Sequence, residues 1–135
     1  MSMMICNAKL IDSNVPSVTG NIYPVEILNK IAKKQVIYGE LGSPSNPVNI
    51  DLDKCSHKIV NFDVRNGVLY GDVQVLSTPM GELFSLFGQY DSNKIEFRPR
   101  GIGKANNTEN PRTITEYEII AIDCYIIEEI QDVAA

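Results

Sequence analysis

Lys94-Ile95-Glu96-Phe97-Arg98-Pro99-Arg100-Gly101-Ile102-Gly103-Lys104 is the stretch on which the reading of this chain turns. It begins with the alternation of a strand and ends in two glycines. Four of its side chains are cationic, in a chain whose net charge is -5. Arg98 and Arg100 flank a proline and, at strand spacing, share a face. With Lys94 and Lys104 at the ends and exposed backbone at Gly101 and Gly103, the stretch is a candidate binding strand. Guanidinium groups and glycine amides suit carboxylate or phosphate. The bland alternative is internal pairing with Glu40, Asp63, Asp72 or Glu118.

Working outward, the 135 residues suit one domain, 1–135, able to bury roughly 65–70 % of its unfolded surface. The apolar and charged fractions, 44% and 21%, are those of an ordinary globular protein. The acidic balance argues against nucleic acid as a partner of the whole surface. No window reaches the roughly 18 apolar residues of a membrane span. The first residues, Met1-Ser2-Met3-Met4-Ile5-Cys6, lack the pattern of a signal peptide. Cys6, Cys55 and Cys124 are read as reduced, mostly buried thiols.

Strands are expected over 3–10 and 36–41, with a helix between them opened by Tyr23-Pro24 and burying Ile27, Leu28 and Ile31. Lys30, Lys33 and Lys34 fall towards its C-terminal end. The alternation of 55–64 and 68–76 around Asn66-Gly67 predicts a hairpin, because both turn residues tolerate positive φ. Thr78-Pro79 caps a second helix, with Leu83, Phe84, Leu86 and Phe87 as its core face. The opening stretch and 113–128 supply two more strands. This order predicts an α+β, mainly-β domain: an antiparallel β-barrel or curled sheet with two or so packed helices.

Candidate chemistry is sparse. His57 is the only histidine, so any Ser/His or Cys/His pair needs it. Cys55 lies two residues away on the same strand face. A metal site lacks its ligands, since Asp51 and Asp53 are not joined by the rest of a calcium loop. Gly101-Ile102-Gly103 is followed by no helix pattern, so no dinucleotide cofactor is expected. No cofactor of any kind is indicated.

Five motifs follow one another in order: Asn21-Ile22-Tyr23-Pro24; Gly39-Glu40-Leu41-Gly42-Ser43-Pro44; the strand 50–59 with Ser56-His57; Asn66-Gly67 with Thr78-Pro79-Met80-Gly81; and Arg100-Gly101-Ile102-Gly103. Together they resemble the prohead (head-maturation) serine proteases of tailed bacteriophages, whose fold is similar to that of herpesvirus assemblins. The resemblance spans 21–127 and implies an assemblin-like fold. It also places Ser43 at the family's catalytic histidine position and Arg98-Pro99 at its Ser-Ser pair. The carboxylate that some members use falls near Lys33 and Lys34. Arginine is permanently charged and proline has no reactive side-chain atom, so neither replaces a serine hydroxyl. His57 is then a remnant histidine, and Ser92 the nearest upstream serine.

The expectation is a catalytically inactive, prohead-protease-like phage protein that binds a capsid or scaffold protein, in head assembly or as a decoration component. It would act in the host cytoplasm during infection or in the virion head, with a homo-oligomer through a helix allowed by the resemblance. The alternatives are a host-directed binder that sequesters a small anionic ligand or inhibits a host protein, and a residual serine protease.

Overall fold

The structure, a computed structural model, describes residues 4–42, 44, 47–88, 93–106 and 111–128. Ser43 and Ser92 lie outside the described residues. The strands are β1 (Met4–Asp12), β2 (Asn21–Ile22), β3 (Ile37–Glu40), β4 (Cys55–Arg65), β5 (Val68–Val75), β6 (Asn93–Ala105) and β7 (Arg112–Glu128). Two helices, α1 (Val25–Ile31) and α2 (Pro79–Gly88), complete the fold with a short 3-10 turn at Leu52–Lys54.

The hairpin β4–β5 forms where expected. Asn66 and Gly67 take φ of 53° and 76°, and Arg65 faces Val68 across the two-residue loop. That double positive φ matches the right-handed twist of the strands. Val68, Leu69, Gly71, Val73 and Val75 of β5 turn inward. Of the four irregularities in the pairing of β1, β5, β4 and β3, two carry an asparagine at positive φ: Asn7 (53°) in β1 and Asn61 (56°) in β4. Asp72, on the strand between them, accepts from Asn7 N at 3.0 Å and from Asn61 Nδ2 at 2.9 Å. One carboxylate therefore clamps both asparagine-bearing bulges.

The sheets are two. One has the order β1-β5-β4-β3 and the other β2-β7-β6. Both long hairpins are antiparallel, but β2 runs parallel to β7. The expected barrel is not closed. The sheets join where Leu41 bridges Cys124 in parallel and Gly42 N donates to Cys124 O at 2.8 Å. At the other side β1 and β6 are each the last strand of their sheet. The core lies between the sheets, with Ile59, Leu69, Val73, Ile122 and Cys124 fully buried.

The helices seal this core. α1 contributes Ile27, Leu28 and Ile31 as expected, with Pro24 as its N-cap rather than its first residue. It ends at Ile31, so Lys33 and Lys34 lie in the turn beyond it. In α2 the expected core face is rotated. Phe84 is fully buried, whereas Leu83, Leu86 and Phe87 are exposed. The cause is at the N-terminus: Thr78 Oγ1 accepts from Gly81 N at 3.0 Å and donates to Cys55 O at 2.7 Å. A Cβ on Gly81 would run into Leu76 O and stand 3.0 Å from Ser56 O. The helix therefore docks by its Gly81–Phe84 side and leaves the flanking apolar residues outward.

Candidate functional site

Arg100 is where the two sheets meet electrostatically. It sits on β6 opposite Ala121, two positions from Asp123 on β7, and reaches diagonally to that carboxylate. Nε donates to Asp123 Oδ2 at 2.8 Å and Nη2 to Oδ1 at 3.1 Å, a two-pronged grip. Nη2 also reaches Glu40 Oε2 of β3 at 3.0 Å, and Nη1 donates to Asn49 O at 2.6 Å. Glu40 N donates to Asp123 Oδ1 at 3.0 Å. The three side chains are only 9%, 4% and 3% exposed, in the order Arg100, Glu40 and Asp123. Burial alone would pull the Arg100 guanidinium below its ordinary pKa. The Asp123 hydrogen bonds and charge, joined by Glu40, outweigh it and push the value up.

Its neighbours on β6 have other duties. The Arg98 guanidinium lies 4.0 Å from the centre of the Tyr125 ring and pairs with Glu96 Oε2 at 3.1 Å. Arg98 Nε is buried with no hydrogen-bond partner among the described residues. Pro99 stands opposite Ile122 on an edge strand, where a missing amide hydrogen is tolerated. Gly101 and Gly103 have no left-handed φ; they are needed because β7 presses on them. A Cβ on Gly101 would strike Glu118 O and stand 2.7 Å from Tyr117 Cζ, and one on Gly103 would strike Glu116 O. Lys94 and Lys104 are exposed at the two ends, Lys104 with Glu116 at 3.5 Å.

His57 stands apart from this strand's charges and is wholly buried. Its ring packs edge-on between Phe84 and Phe97 at 5.5 and 5.9 Å. Nε2 lies 2.8 Å from Ile122 O, an atom that only accepts, so the proton is on Nε2. Nδ1 then accepts from Ser56 Oγ at 2.7 Å. Burial, against the Ile122 contact and Asp123, holds the imidazole down at about 4. Ser56 and His57 form a hydroxyl–base pair, but neither exposes any surface, so no carbonyl reaches Ser56 Oγ. Cys55 is buried beside them, its thiol raised by burial and by Glu40, and Cys124 is pushed up to about 12 by burial. Neither thiol is set up as a nucleophile.

The expected binding strand and His57 are therefore close in the fold without sharing a hydrogen bond. Asp123 is the residue that sequence reasoning passed over. Its signal was present: one carboxylate inside Ile119-Ile120-Ala121-Ile122-Asp123-Cys124 has to be buried, and a buried charge needs a partner. Along β6, from Lys94 to Ala105, runs a cleft of about 1100 Å³ whose opposite wall is β1 and the segment 15–19.

Two sheets joined at one seam and sealed by two helices make a fold similar to that of a phage capsid assembly protease. A solved structure with this likeness is that of the bacteriophage T4 capsid assembly protease, gp21, with a TM-score of 0.66 over 91% of this chain and 90% of that chain. The two are 19% identical, a likeness of fold. No protein-family model and no curated protein sequence matches the chain.

Proposed function

We propose that this chain is a non-cleaving relative of the capsid assembly proteases and acts by binding, in the head assembly of a phage. One observation carries the reading. On β6, the strand that by sequence resembles the family's nucleophile strand, Arg100 is locked to Glu40 and Asp123 in a buried cluster, and its neighbours are Arg98 and Pro99. Acyl transfer needs an accessible oxygen or sulfur with a base in reach. The one hydroxyl–imidazole pair among the described residues is sealed, and the strand offers positive charge instead. The partner on this reading is a capsid or scaffold protein, met in the host cytoplasm during assembly or retained in the virion head. The host-directed anion binder draws less support, because the fork of Arg100 already holds two carboxylates.

The test has two arms. Co-sedimentation with purified procapsid shells should retain the protein, and no retention on immature or mature shells would sink the binding role. Incubation with unstructured substrate proteins should give no cleavage. Cleavage that disappears in His57→Ala would restore the residual protease.

A further inference from the structure

We infer that single-stranded nucleic acid lies across the end of α1 and the outer face of β3 and β4, its phosphates met by Lys30, Lys33, Lys34 and Lys58 and one base stacked on Tyr38. None of these residues lines the β6 cleft, and the inference goes beyond the capsid contact without resting on it.

Charge is the first argument. The chain carries 17 acidic and 12 basic side chains, so most cations have a carboxylate to meet. The arginines are all engaged: Arg65 with Asp63 and the Tyr70 ring, Arg98 with Glu96 and the Tyr125 ring, Arg100 with Glu40 and Asp123, and Arg112 with Asn21 and Thr19. Lys9 and Lys104 are paired with Asp12 and Glu116. Lys30, Lys33, Lys34, Lys58 and Lys94 have no ion pair among the described residues, and all but Lys94 gather on this surface. Glu26, four residues before Lys30, does not pair with it.

The fold brings the four lysines together. Beyond Ile31 the chain keeps a helical winding, with Lys33 N bonded to Lys30 O at 3.3 Å and Lys34 N to Ile31 O at 3.0 Å. Lys33 and Lys34 are then the third and fourth neighbours of Lys30 on one exposed face. Four residues further, about 13 Å of chain at most, β3 turns Tyr38 outward while Ile37 and Gly39 are buried. Lys58 stands opposite Tyr38 in register on β4, and its neighbours His57 and Ile59 are buried, so the two side chains share the outer face. The helix dipole accounts for lysines at the end of α1 but not for Lys58.

Stacking is the second argument. The Tyr38 side chain is 37% exposed and makes no ring contact among the described residues. By contrast, Tyr23 and Tyr117 pack on each other, and Tyr70 and Tyr125 are covered by arginines. An open ring beside ammonium groups is the platform single strands use, where bases stack and phosphates take the charge. A protein partner matches less well, because protein interfaces favour arginine and are poor in lysine, and every cation here is lysine. The acidic remainder of the surface repels the same polyanion and confines it to this patch.

The experiment is fluorescence anisotropy of the full chain with an oligothymidylate of about ten nucleotides, titrated at several salt concentrations. Four phosphate contacts to a single strand give a slope of log K against log salt of about -3. Lys33→Gln/Lys34→Gln/Lys58→Gln should weaken binding about tenfold or more and bring the slope to about -1. Tyr38→Ala should weaken it about tenfold with the slope kept, and Tyr38→Phe should bind as wild type. Lys9→Gln, on the far edge strand of the same sheet, should also bind as wild type. A preference between oligothymidylate and oligouridylate names DNA or RNA as the source of the strand. No binding at low salt, an unchanged slope in the triple variant, or full affinity in Tyr38→Ala would overturn the inference. Tighter binding of a duplex, of polyglutamate or of vesicles rich in phosphatidylserine would overturn it too, by giving the patch to another partner. Retention on capsid shells should survive the triple variant. Its loss there would assign the patch to the shell and overturn the inference, whereas a wild type that is not retained at all speaks only against the capsid reading.

Discussion

His57 shows how far a side chain's surroundings decide its use. Its proton sits on Nε2, facing Ile122 O, and two phenyl rings exclude water. The folded value of about 4 lies below the ordinary 6.5, so the unfolded chain takes up this proton first as pH falls. Stability is therefore expected to decline between about pH 6.5 and pH 4, by about 3 kcal/mol from this residue. Asp12 and Asp72 are held below their ordinary 3.8, by Asn14 N and Asn7 N respectively, so their contributions are lost only at lower pH. Urea denaturation of the wild type and His57→Gln across this window separates the two: a slope that persists in the variant would assign the effect elsewhere. The presence of a lone histidine beside a serine was legible in the sequence. Its burial was not, because three consecutive residues, Cys55, Ser56 and His57, are all inside, and no alternation pattern announces that.

Among the elements, those set by neighbours in sequence were the legible ones. Asn66-Gly67 fixes the β4–β5 register locally, and Ile27, Leu28 and Ile31 lie at helical spacing. The bulges at Asn7 and Asn61 depend on Asp72, a residue distant from one of them, and could not be read from either strand alone. The rotation of α2 is set by two carbonyls, Leu76 O and Ser56 O, that the helix sequence does not contain. β3 makes the sharpest test of packing between elements. Gly39 faces His57 in register, and a Cβ there would run into both Ile122 O and the His57 ring. Gly39→Ala should cost roughly 1–3 kcal/mol or more, because a backbone carbonyl cannot step aside as a side chain can. A denaturation midpoint within error of wild type would show that β3 is free to move away from β7.

At the scale of the molecule, the sequence left a barrel and a curled sheet both open, because hairpins are visible in sequence and the seam between two sheets is not. That seam is built by Leu41, Gly42 and Cys124 and by the Arg100–Glu40–Asp123 cluster. Glu40 had been among the candidate partners of the arginines, whereas Asp123 had not. Removing Arg100 alone leaves two buried carboxylates facing each other. Arg100→Ala is expected to lose about 3–5 kcal/mol, while Arg100→Met/Glu40→Leu/Asp123→Leu loses far less or gains. Equal losses for the single and triple variants would mean that the cluster acts by shape and not by charge. A single-variant loss below about 1 kcal/mol would mean that water already screens it.

The seam also has a bearing on time. Glu40 and Arg100 are 60 residues apart, and Glu40 and Asp123 are 83 apart. Such long loops close slowly, since chain entropy is lost before any contact repays it. The hairpins β4–β5 and β6–β7 join strands that are neighbours in sequence, and the Arg100–Asp123 grip can form with the second of them, whereas Glu40 on β3 joins that grip only once the two sheets meet. The loss in Glu40→Gln should accordingly appear as faster unfolding with nearly unchanged refolding, the mark of an interaction made after the transition state. The charges that hold the two sheets together would then set the lifetime of the folded state and leave the speed of its formation to the hairpins.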